Sequence, residues 1–156
     1  MATCTLAVSC TSGSETTVKE RDSAGVQEDV EKTSSGILDM LGINGKVTKS
    51  GAMLSRCSGY DDEDEVYRAR HPWSVHDVPF ADMEQAMERL RTELPKNGWT
   101  IVKDGTDGSK SRSPQIIAES SNREFALDAR LYKANRKENS PDLINVAVES
   151  ACFKAK

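Results

Sequence analysis

Two segments in the last third of the chain alternate apolar and polar residues. "FALDARLYK" sets Phe125, Leu127, Ala129 and Leu131 against Ala126, Asp128, Arg130 and Tyr132. "LINVAVESACF" repeats the pattern through Ile144, Val146, Val148, Ser150 and Cys152. A period of two turns one set toward a core and the other toward water, as in an antiparallel sheet with one covered face. Upstream, "ADMEQAMERLRTELPKNG" carries Met83, Ala86, Met87, Leu90 and Leu94 at helical spacing. Pro95 is expected to close this helix, with Gly98 following it. These patterns predict a two-layer α+β fold, with two helices on one face of an antiparallel sheet of about five or six strands.

The other helix is expected in "VQEDVEKTSSGILDMLG", where Val26, Val30, Ile37, Leu38 and Leu41 recur at helical spacing and Gly42 gives a stop. Thr33, Ser34 and Ser35 interrupt its apolar stripe. Asn44-Gly45 signals a turn, and "KVTKSGAMLSRC" an irregular strand or a pair of short strands. "EVYRARHPWSVHDV" alternates, with Val66, Arg68 and Arg70 on one side and Tyr67, Ala69 and His71 on the other. Pro72 is expected to end this strand or push it to a sheet edge. "WTIVK" and "QIIAES" read as short strands. "DGTDGSKSRSP" and "ANRKENSPD" read as polar loops.

With 156 residues the chain suffices for one domain with a single core. A formal charge of −4 argues against a nucleic-acid partner, which calls for a basic patch. No stretch approaches the roughly 20 apolar residues of a membrane-spanning helix. Cys57 and Cys152 lie inside the polar domain, while Cys4 and Cys10 lie near the start. Two well-separated cysteines fit either one long-range disulfide, which requires an oxidising compartment, or two buried free thiols. No CxxC or Cys/His cluster suggests zinc.

The opening "MATCTLAVSC" is small and apolar up to Cys10. Its end, Leu6-Ala7-Val8-Ser9-Cys10, is similar to a lipobox, where a signal peptide is cut before a cysteine that takes lipid. Ala7 stands where that motif more often has Leu. Residues 1–9 are expected to be the remnant of a lipoprotein signal peptide whose charged n-region lies upstream. The alternative is a cytosolic chain with a cysteine near its start by chance. Residues 10–25 would then be the lipidated cysteine and a disordered tether, because Thr11 to Gly25 offers too little apolar surface to offset ordering entropy. Such a tether spans about 20 Å root-mean-square. Residues 26–156 form the single folded domain of this reading.

The chain resembles small, uncharacterised lipoproteins of actinobacteria. The residues that carry the resemblance are "LAVSC" with its Ser/Thr tether, "LSRCSGY", "HPWSV", "MERLRTELPKNGW" and "VAVESACF". The resemblance implies export, lipid on Cys10, a Cys57–Cys152 disulfide and an α+β domain. It implies no activity.

Signals for catalysis are weak. The chain holds two histidines, His71 and His76, and has neither a G-x-S-x-G elbow nor a P-loop. No cofactor is expected and the chain is not expected to be an enzyme. It is read instead as a membrane-anchored extracytoplasmic lipoprotein, a binding or interaction module of the cell envelope. Its partners would be the membrane, through Cys10, and an unknown protein or small-molecule ligand. The candidate binding surface is Tyr67, Arg68, Arg70, His71, Trp73 and His76, which gather the aromatic and Arg types enriched at hot spots. The plainer reading is that Trp73 and Tyr67 complete the core. The alternative function is a small metal-binding or envelope-stress protein using the histidines and the five acids Asp61 to Glu65. That run lacks the spacing of a calcium loop, and a solvated acidic turn is its simpler explanation.

Overall fold

The structure, a computed structural model, describes residues 17–48 and 50–156. Cys4, Cys10 and the lipobox-like segment lie outside the described residues. The elements run β1 (Glu20–Arg21), α1 (Ser23–Leu41), β2 (Lys46–Val47), β3 (Met53–Arg56), β4 (Val66–His76), α2 (Phe80–Lys96), β5 (Trp99–Thr106), β6 (Pro114–Ser120), β7 (Phe125–Tyr132), β8 (Leu143–Ser150) and β9 (Phe153–Ala155). The α+β class is as expected. Among the described residues the sheet is larger than expected, with nine strands in the order β1-β9-β4-β8-β7-β6-β5, and with β2 and β3 pairing β4. It is also mixed, because β1 pairs β9 in parallel. The additional strands are short ones that carry no periodic signal of their own. Folded structure begins before Val26: β1 and the first turn of α1 occupy part of the segment read as tether.

α1 forms for the reasons its ends announce. The Asp22 side chain accepts from the Gly25 amide, and Gly42 adopts a left-handed conformation that lets its amide donate to the Leu38 carbonyl. Its buried stripe is Val26, Val30, Ser34, Ile37 and Leu41, so Ser34 belongs to the stripe rather than interrupting it. Thr33 and Ser35 donate to the carbonyls of Asp29 and Glu31 one turn back, which keeps their hydroxyls satisfied within the helix.

α2 continues one residue past Pro95. Proline this near the end leaves only the Arg91 carbonyl without its usual donor. The Asn97 amide group then donates to the Glu93 carbonyl at 2.8 Å and closes the helix.

The expectation for Pro72 is corrected: β4 runs through it and lies inside the sheet. The physical reason is local. The Ala69 amide points toward the β8 side, where it donates to Ser150, and the Ser74 amide points the other way, to Thr48. By alternation Pro72 faces the β2/β3 side. On that side pairing stops at Arg70 and resumes at Val75, so no ladder partner needs an amide there. The Ser50 hydroxyl instead donates to the Pro72 carbonyl.

Pairing across β4, β8, β7 and β6 puts Trp73, Val146, Ala129 and Ile116 in one row. These residues, their same-face neighbours and the buried stripes of both helices form one hydrophobic core. Cys57 and Cys152 are joined by a disulfide, with Cα atoms 6.2 Å apart and 95 positions between them in sequence. Cys152 lies in the break between β8 and β9, and the bond ties that break to the chain just after β3.

Candidate functional site

The six residues of the candidate surface do not form one surface. Alternation along β4 sends Tyr67, His71 and Trp73 to the apolar side and Arg68, Arg70 and His76 to the opposite side. Trp73 is 4% exposed and Tyr67 packs against the core, so both complete the interior. Trp73 Nε1 has no hydrogen-bond partner among the described residues.

His71 is committed to the fold. Its Nε2 lies 2.6 Å from the Ser50 carbonyl oxygen, and its Nδ1 lies 2.8 Å from the Ser34 hydroxyl. A carbonyl only accepts, so Nε2 donates to Ser50, while Nδ1 bonds the Ser34 hydroxyl. This bond explains the polar residue on the α1 stripe. His76, five positions on, faces the other way, so the two histidines cannot converge on one ion.

The acidic run forms a short 3-10 turn, Asp62–Asp64. Arg56 donates to the Asp62 carbonyl at 2.7 Å, and Asp64 accepts from the Asp61 amide at 3.0 Å. Among the described residues no three His, Cys, Asp or Glu side chains gather as a metal site, and nothing in the turn favours the metal-binding alternative.

The polar side of the sheet carries an ordered charge network. Glu149 lies opposite Arg70 and accepts from both Arg70 (3.0 Å) and Arg68 (3.3 Å). On β7, next to the strand of Glu149, Asp128 accepts from Arg130 at 3.1 and 2.9 Å and from Gln115 at 3.0 Å, and Gln115 in turn accepts from Lys103 at 2.8 Å. Burial raises the Asp128 carboxyl pKa. The bonds from Arg130 and Gln115, with the charges of Arg130 and Arg70, outweigh burial and hold it below the usual carboxylate range. Ala126 and Ala147 leave a shallow hollow of about 200 Å³ between these groups. Sequence reasoning missed this network. Its signal is the charges at alternate positions, Arg68 and Arg70 on β4 and Asp128 and Arg130 on β7, opposite the apolar ones.

A larger cleft of about 880 Å³ opens where the loop after β5 (residues 107–113) and the loop after β7 (residues 133–142) approach each other. Hairpin connectivity puts both loops at one end of the sheet. The disulfide, β1 and the turn at Asn122 lie at the other end, where Ser150 pairs with Phe125. The two ends are separated by the length of β8, about 25 Å at roughly 3.3 Å per residue.

Comparison with protein-family models, with curated proteins and with solved structures found no match for this chain. Among the described residues no helix is long and apolar enough to cross a membrane.

Proposed function

We propose that the chain is a lipoprotein anchored through Cys10 on the extracytoplasmic side of a membrane, and that its folded part is a non-catalytic binding module. The observation that carries this reading is the Cys57–Cys152 disulfide. Such bonds form and persist in oxidising compartments, and export supplies one. The lipobox-like "LAVSC", the Ser/Thr-rich stretch after it and the likeness to small actinobacterial lipoproteins support the anchor. Two or three acyl chains on one cysteine would hold firmly, since a single chain gives only marginal binding.

The architecture suits such a module. We infer that both helices cover the apolar side of the sheet, which leaves the charged side and the loop end open to a partner. The chain enters the fold beside the disulfide, where the Lys154 amide donates to the Lys19 carbonyl. A tether at that end would direct the cleft between the two loops away from the membrane. The non-catalytic reading rests on His71 being bonded at both ring nitrogens and on His76 lying on the opposite side of β4.

Labelled palmitate tests the anchor. The protein, expressed from a start that supplies a complete signal peptide, is expected to incorporate label and sediment with membranes. Cys10→Ser is expected to lose both properties. A Cys10→Ser protein that stays labelled and membrane-bound, or a wild-type protein that takes no label, overturns the reading.

A further inference from the structure

The cleft between the two loops has a chemistry of its own. Arg130 lies in its wall but is already engaged, by Asp128 through two hydrogen bonds and by Asp107 at 3.7 Å. Asp107 is engaged in turn: it accepts from the Ser109 amide at 3.0 Å, and Ser109 and Arg130 together hold its carboxyl below the ordinary range. The two groups therefore offset one another, and neither is offered to a ligand. Lys133 and Arg136 differ. Both are exposed, both line the cleft, and neither has a carboxylate within ion-pair distance among the described residues. Among the described residues Glu138 is the one exposed acid set against them in the cleft wall. The Lys133 ammonium lies 5.5 Å from the centre of the Phe80 ring, a favourable position over an aromatic face.

The loops that present these cations are fixed by their own bonds. Asp142 accepts from the Ala134 amide at 2.6 Å, and Asn135 and Ser140 exchange backbone bonds at 3.1 Å. The Asn135 side chain accepts from the Lys137 amide at 3.1 Å, and the Arg112 amide donates to the Ser109 carbonyl at 3.0 Å. A preformed concave site lowers the ordering cost of binding. Ser111 brings a hydroxyl donor to the opposite wall.

We propose that this cleft binds a small anionic ligand, a polar molecule bearing a phosphate or carboxylate group, with Lys133 and Arg136 as its charge partners and the Ser111 hydroxyl as a donor. The proposal rests on the reading of the domain as a binding module and is independent of the anchor.

The test uses the full chain, isotope-labelled and titrated at constant ionic strength with inorganic phosphate, with citrate and with uncharged glucose, while amide chemical shifts are followed. Saturable shifts confined to residues 107–113 and 133–142 are expected with at least one of the two anions. Saturation by phosphate alone, or by citrate alone, identifies which anionic group is read. The double variant Lys133→Gln/Arg136→Gln is expected to weaken binding about tenfold or more, since it removes both charge partners of the anion. Lys110→Gln, a cation of the same loop pair outside the cleft wall, is expected to change affinity by no more than about twofold. If the double variant shifts the thermal midpoint, Arg136→Gln alone is read instead. Shifts that never saturate, equal binding of glucose, or equal loss in Lys110→Gln each overturn the anionic site. None of these results bears on palmitate labelling of Cys10, so the two readings fail separately.

Discussion

Gly45 stands where the backbone leaves no room for a side chain. A Cβ there would lie 2.7 Å from the His76 carbonyl oxygen and 2.8 Å from a Val75 methyl. The methyl belongs to a buried residue, and the carbonyl belongs to the end of β4, where Lys46 pairs with His76. Neither can move aside without disturbing the sheet. Gly45→Ala should therefore destabilise the fold by about 1–3 kcal/mol, the usual cost of forcing extra volume into packed structure. A urea midpoint unchanged by the substitution would show that the turn yields freely. The sequence marks Asn44-Gly45 as a turn, but the reason this position must be glycine is a contact with a strand some 30 residues away, on the order of separations that only folding closes.

At the scale of elements, each helix is held by a stripe, and the two stripes differ in chemistry. On α2, Met83, Ala86, Met87, Leu90 and Leu94 are all buried, and Leu90 is wholly inaccessible. Leu90→Ala should cost about 2–5 kcal/mol, from lost transfer energy and the cavity left behind. Glu84→Ala, on the exposed side of the same helix, should stay within about 0.5 kcal/mol. Equal denaturation midpoints for the two variants would refute the core role of the stripe. On α1 the stripe contains a hydroxyl, Ser34, that meets His71 across the helix–strand contact. Apolar periodicity alone scores such a position as a fault, because the compensating partner lies 37 residues away.

For the whole molecule, the disulfide is the longest covalent constraint. It joins two cysteines 95 positions apart and so encloses more than half of the folded chain in one loop. Constraint of the unfolded state grows with loop length, and loss of such a bond typically costs about 2–5 kcal/mol. The paired variant Cys57→Ala/Cys152→Ala should lower the urea midpoint accordingly, and added reductant should then change nothing further. If wild type and variant unfold at the same denaturant concentration, the bond does not contribute to stability.

By itself the sequence determined the local elements and the class they build. The segments 125–132 and 143–150 and the stripe of α2 were legible because burial imposes a period of two or 3.6 on adjacent residues. The pairing of Cys57 with Cys152 was legible as one of two readings, and in the folded chain the two are joined. Only the tertiary structure decided which strands become neighbours. It set β4 inside the sheet despite Pro72, brought β1 parallel to β9, and divided Tyr67, Arg68, Arg70, His71, Trp73 and His76 between two faces. It also brought two polar loops, each unremarkable in sequence, to one end of the sheet around a common cleft. Strand order and loop proximity depend on contacts between residues far apart in the chain, and such contacts impose no period on the residues that make them.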